Sequence, residues 1–300
     1  MEYTVNGNYK QVNMQLYNLH THTTFSDGKA KARDFVMESI RQRFFSLGFS
    51  EHSPLPFENN FSIPEKDMGD YCLEIHGLRE EFKNSLEIFC ALEFDYIPGI
   101  SKPFYVYMDE YRLDYSIGSV HLVANEENDK LWFIDGPKVE TYDKGLYSIF
   151  NGNIMKAVES YFHQICMMIE EEKPDVIGHL DKIKMHNQSR YFSEDEEWYR
   201  NLITKTLNLI ADGGLIMEVN TRGIYKKRCD SLFPGIRVLA EALQKGIPIT
   251  LTSDAHEPEE ISSYFPEALQ ILYTMGFRKL KAFGKQGWYD VEIGDLRFRD

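Results

Sequence analysis

Residues 16–28 read LYNLHTHTTFSDG, and this stretch decides the fold class. Positions 16–20 form a short apolar run that suits a buried strand and is too short for a helix. The run leads straight into His20-Thr-His22, where alternation at period two points both imidazoles the same way. Ser26-Asp27-Gly28 then turns the chain. A buried strand thus delivers paired imidazoles at its C-terminal end.

Working outward, the same pattern recurs. Runs at 46–50, 87–93, 115–121, 175–179, 215–220 and 248–253 read as six further buried strands. Helical patterns lie between them. Ile154, Ala157, Val158, Tyr161, Phe162, Ile165 and Met168 fall on one helix face over 154–170. Ser193 with Glu196 has the form of a capping box, predicting a helix over 195–210. Residues 236–245 form another, stopped by Gly246 and Pro248. Regular β–α alternation implies a parallel sheet, open or closed as a barrel. No Gly/Ser linker, fixed-period repeat or composition break divides the chain, so one domain over 1–300 is expected. No G-x-G-x-x-G or P-loop follows the first strand, which argues against the common nucleotide-binding folds.

The strand ends carry the chemistry. The second ends in Glu51-His52, the third in Glu93, the fourth in His121 and the fifth in His179. The seventh runs into Asp254-Ala-His256. In a closed parallel barrel these ends share one face, where barrel enzymes keep their active sites. Singly, each piece has an ordinary reading: H-x-H is a weak motif, Ser-Asp-Gly is usually a turn, and a strand-end glutamate is usually solvated. In this order they read as metal ligands. Imidazole nitrogen and carboxylate oxygen suit Zn, Mn or Fe. The donors exceed one ion's needs and Glu93 can bridge, so two to three divalent ions are expected. Such a site suits phosphoryl transfer, because the ions make hydroxide available near neutral pH and clamp the attacking and leaving oxygens. His76 and His163 read as surface or boundary histidines, and His186 is not expected as a ligand.

Composition narrows the partners. Against 33 Lys+Arg stand 47 Asp+Glu, a net charge of −14 over 300 residues. That excludes a binder of nucleic-acid backbones but leaves a small phosphorylated substrate open. The anion clamp then has to be local. Arg222, in EVNTRG after the sixth strand, is the first candidate, with Lys184 and Arg190 as further ones. No apolar run reaches the roughly 18–20 residues of a membrane span. The first 20 residues lack the basic and apolar regions of a signal peptide. Cys72, Cys90, Cys166 and Cys229 are scattered, as reduced thiols are. A cytoplasmic enzyme without membrane or nucleic-acid partners is the expectation.

The ordered motifs HTHTTFSDG, GFSEHSPLP, GSVHLV, GHLDK and SDAH resemble those of the polymerase-and-histidinol-phosphatase (PHP) superfamily. EHSPLP, and GSVH followed by WFIDGP, resemble its bacterial histidinol-phosphate phosphatases. The resemblance covers residues 17–256 and implies an α/β fold, a distorted, TIM-barrel-like (β/α)7 barrel with a trinuclear site. It implies one ion on His20, His22, Glu93 and Asp254, and a second on Glu93, His121 and His179. A third would take Asp27, His52 and His256, with Asp27 standing where other members carry histidine. It further implies hydrolysis of L-histidinol phosphate, a step of histidine biosynthesis, with Asp254, Glu93 and His256 as catalytic candidates. On that reading Phe57 and Glu58, in the loop SPLPFENNFSI (53–63), would enclose the imidazole and pair with the amino group.

Three alternatives stand beside this. One is a PHP-type phosphoesterase acting on nucleotides or nucleic-acid ends. Another is an amidohydrolase-type barrel, which would want a bridging carboxylated lysine where Glu93 stands. The third is a metal-binding barrel without turnover.

Overall fold

The computed structural model of the chain describes residues 16–125, 127 and 129–295. Seven parallel strands form its central sheet: β1 (Leu16–Asn18), β2 (Phe44–His52), β3 (Glu87–Asp95), β4 (Ser116–Ser119), β5 (Val176–Ile177), β6 (Ile216–Asn220) and β7 (Ile249–Thr252). They lie in sequence order across the sheet, each pairing in parallel with the next. The strand ends are joined beyond β7. Ala255 accepts from the His22 N–H at 2.8 Å and donates to the His20 carbonyl at 3.2 Å. This parallel bridge, Thr21 to Ala255, brings the last strand's end against the first's and makes the sheet a nearly closed barrel. Two ligand-bearing segments far apart in sequence meet there.

Every predicted strand exists, shorter at some ends. The fourth was predicted over 115–121, but its ladder stops at Ser119 and His121 stands past it. The strands are buried on both faces, as parallel strands under helices are. The predicted helices lie at Ile154–Glu171, Glu197–Gly213 and Ile236–Gln244. The capping box at Ser193 is corrected. Glu196 accepts from the Ser193 N–H at 2.8 Å, but the Ser193 hydroxyl accepts from Asp195. A turn therefore forms, and the helix starts after it.

Two hairpins were not foreseen. Leu122–Ala124 pairs antiparallel with Leu131–Phe133 just beyond β4 and sets WFIDGP over the strand ends. Lys279–Gly284 pairs with Gly287–Glu292. The Phe283 ring of this second hairpin meets Phe89 edge-on at 4.9 Å and Tyr115 at 5.2 Å. This hairpin packs against the N-terminal parts of β2 and β3 and the approach to β4, with the Ser46 hydroxyl donating to the Phe283 carbonyl at 3.1 Å. Among the described residues, no helix is long and apolar enough to cross a membrane.

Candidate metal centre

Register aligns the donors before any side chain is considered. In the β2–β3 ladder His52 stands opposite Glu93. The Glu93 carboxylate lies at the middle of the strand-end face. Its Oε2 is 3.0 Å from His52 Nδ1, 3.2 Å from His20 Nε2 and 3.5 Å from His22 Nε2. Its Oε1 is 2.8 Å from His179 Nε2 and 3.5 Å from His121 Nε2. Asp254 Oδ1 lies 3.5 Å from His22 Nε2 and 3.9 Å from His20 Nε2. Asp27 Oδ1 lies 3.0 Å from His256 Nε2 and 3.7 Å from His52 Nε2. The structure thus brings all nine expected donors together. Three of their groupings have ligand atoms close enough to share an ion: His22, Asp27, His52 and His256; His20, His22 and Asp254; and His52, Glu93 and His121.

These residues fit divalent metal. His20 Nε2, both ring nitrogens of His22, His52 Nδ1 and Asp27 Oδ1 are buried without hydrogen bonds. Each unsatisfied buried polar atom costs about 1–3 kcal/mol, so such a cluster needs another partner. Protonation is not that partner for every ring. Burial, with the neighbouring His256, pushes the His22 imidazole down to about 4. Burial also brings His52 to about 4, against the pull of Glu93. Neutral imidazole is the form that ligates. At His121 burial is outweighed by the carboxylates of Glu93, Asp95 and Asp135, which raise it to about 9. Asp254 holds a φ of 51°, a backbone region uncommon for non-glycine residues and typical of functional sites.

Residues that the sequence reading passed over support these donors. Glu218, on β6, takes His20 Nδ1 at 2.5 Å, the His179 N–H at 2.6 Å and the Thr252 hydroxyl at 2.6 Å. Asp95 accepts the His121 N–H at 3.0 Å and stands 3.2 Å from its Nδ1. This explains how His121 is placed beyond its strand. Both had a signal: Glu218 interrupts an apolar run, and Asp95 sits two residues past Glu93 on the same strand face. Such outer partners orient ligating rings. Glu218→Gln is expected to lower metal affinity about ten- to a hundredfold, measured by competition with a chelating dye; wild-type affinity would show that His20 needs no such support.

Above the donors opens a cavity of about 380 Å³. Asp27, His52, His121, Asp254 and His256 face into it, and Lys29, Lys182, Arg222, Lys226 and Arg228 line it. Arg222 stands where the sequence placed a clamp, its Nη1 2.5 Å from the Asp254 carbonyl and 4.0 Å from Asp254 Oδ1. Lys182 is the cation that was missed. A 3₁₀ turn bonds its N–H to the His179 carbonyl at 2.9 Å and returns it over the centre. Its Nζ is 3.0 Å from Asp135 and 3.6 Å from Asp254.

Four expected substrate residues lie elsewhere. Lys184, two residues along the same turn, is buried in an ion pair with Asp181 at 2.7 Å, away from the cavity. Arg190 grips Asp143 with two nitrogens at 2.8 and 2.9 Å and stacks on Tyr191. Phe57 and Glu58 are exposed. The loop turns at Asn59, whose side chain accepts from Phe61 and Ser62, and Ile63 ties it back to the His52 carbonyl. Phe61 is therefore the ring that enters. It meets His52 edge-on at 5.5 Å and stacks on Phe133 at 5.5 Å.

His76 is half-buried and His163 exposed, both on helices, and His186 Nε2 donates to the Gly136 carbonyl at 2.7 Å, so none of the three joins the ligand cluster.

Fold and site together define an α/β barrel with a nitrogen- and oxygen-lined metal centre at its strand ends. The chain belongs to the PHP domain family, whose model matches residues 18–222. It is similar to the histidinol-phosphatase of Bacillus subtilis, 29% identical over 272 residues that cover 86% of this chain and 99% of the relative. The histidinol-phosphatase of Lactococcus lactis is 23% identical over 90% of this chain and 95% of its own length. A crystal structure of histidinol phosphate phosphatase from that organism, complexed with zinc, L-histidinol and phosphate, superposes with a TM-score of 0.66. At 21% identity, over 91% of this chain and 98% of that one, it bears on the fold.

Proposed function

We propose that this chain hydrolyses L-histidinol phosphate to L-histidinol and phosphate at two to three divalent ions held by the nine donors. One observation carries the reading: buried Lys182 and Arg222 converge on the same cavity as the ligand cluster. An acidic protein has thereby built a local cationic wall over a metal floor. Its relatives' names and the family's motifs agree with a phosphomonoester.

Bound ions would supply charge neutralisation at the phosphoryl oxygens and a more acidic water. The chain's own residues do the rest. Arg222 and Lys182 bind the phosphate, and their partners Asp254 and Asp135 keep them charged and aimed. Asp254 and His256 face the cavity in which the phosphoryl group would sit, while Glu93 lies buried beneath them. The stacked Phe61 and Phe133 give the leaving group an apolar wall. They take the place expected of Phe57. A cytoplasmic location suits such an enzyme.

The test is phosphate release from histidinol phosphate, a nucleoside monophosphate and an aryl phosphate, on protein with quantified metal. Preference for histidinol phosphate is the expected result. Superior turnover of the nucleotide would overturn the substrate, and no release from any would favour a binding-only barrel.

A further inference from the structure

We propose that Glu51 is a positioning residue for Asp27, and through it sets the occupancy of the ion site formed with His52 and His256. The proposal rests on the metal-centre reading above.

Glu51 precedes His52 on β2 and is fully buried. Alternation along the strand turns it to the side opposite His52, and it does not line the cavity. Its carboxylate accepts the Thr23 N–H at 2.9 and 3.0 Å and the Thr23 hydroxyl at 2.7 Å. It also accepts the Ser26 hydroxyl. Burial of this acid is offset by the Thr23 and Ser26 donors of one loop. An acceptor suits this place, because the Thr23 N–H facing it can only donate and both hydroxyls are placed to donate.

The loop so held is the one that carries Asp27. The Thr23 carbonyl accepts from Ser26 at 3.1 Å and from Gly28 at 2.9 Å, closing the turn. A Cβ on Gly28 would stand 2.1 Å from the His22 carbonyl oxygen, so only glycine lets the chain pass there. Beyond it Lys29 donates to the His256 carbonyl at 2.8 Å. Asp27 sits between the Glu51 anchor and this second one. It has no sheet register to hold it, since β1 ends at Asn18. Its side chain is also 32% exposed where the other ligand carboxylates are buried. Without its anchor, the ordering cost of the loop falls on the metal site.

The experiment titrates zinc-loaded full-length protein with a chelator and records melting alongside. The variants are Glu51→Gln, Asp27→Ala and the double substitution. Expected is release of the most labile zinc from Glu51→Gln at about tenfold lower chelator, with the remaining metal retained as in Asp27→Ala. The double variant should release no more than Asp27→Ala alone. If Glu51→Gln does not fold, Ser26→Ala removes one donor from the loop side and should shift release in the same direction. A lowered melting point with an unchanged zinc titration would overturn the proposal, as would additive loss in the double variant. Full zinc retention by Asp27→Ala would overturn it too, and would place the fault in the assignment of Asp27 itself.

Discussion

Glu93→Ala is expected to lose at least one equivalent of bound metal and about a hundred- to a thousandfold in kcat. No other side chain in the centre approaches five imidazoles within 3.5 Å. Its two oxygens divide them, one toward His20, His22 and His52, the other toward His121 and His179. Burial opposes its charge, yet His20, His121 and His52 hold it well below the usual carboxylate range. The Ser119 hydroxyl, donating at 2.6 Å, fixes the oxygen that faces His121 and His179. Removing the carboxylate therefore unlinks two groups of ligands at once. Glu93→Gln keeps the shape and the Ser119 contact but not the charge, and should lose metal as the alanine variant does. Metal analysis together with phosphate release checks both; full metal retention in either would sink the bridging role.

What was legible in the sequence follows from which forces act locally. The strands announce themselves because a parallel strand buried on both faces is a short apolar run, and each run here ends in a polar donor. Barrel closure then turns a list along the chain into a cluster in space, whereas the pairing of His20 with Asp254 came from the resemblance to the PHP motifs. The substrate wall was less legible because it depends on turns. In IGHLDKIKM, Lys182 and Lys184 are equally basic in sequence, and one 3₁₀ turn sends the first over the centre and the second to Asp181. In PFENNFSI the Asn59 side chain decides that Phe61, not Phe57, faces His52. Residues such as Glu218 escaped for another reason. A supporting carboxylate has no motif of its own, and its role appears only once the ring that it holds has been placed.

Arg222→Ala is expected to lower kcat/KM for the phosphorylated substrate by roughly tenfold to a hundredfold. A hydrogen bond to a charged group contributes about 1.5–3 kcal/mol, and about 1.4 kcal/mol is a factor of ten. The side chain is held ready. Its N–H bonds Asn220 Oδ1 at 2.9 Å, and its guanidinium lies 3.3 Å from the Tyr225 hydroxyl and 3.7 Å from Glu260. Burial disfavours its charge, but Asp254, Tyr225 and Glu260 together raise it further above the ordinary arginine range. Because Nη1 also holds the Asp254 carbonyl, lost turnover alone would not distinguish binding phosphate from bracing a ligand. Metal content separates the two. Reduced kcat/KM with full metal assigns Arg222 to the substrate, and Arg222→Lys should then recover part of it, since a lysine keeps the charge but not the two-pronged grip. Metal loss in parallel with turnover would assign it to Asp254 instead, and unchanged kinetics would leave Lys182 as the cation that the phosphate meets.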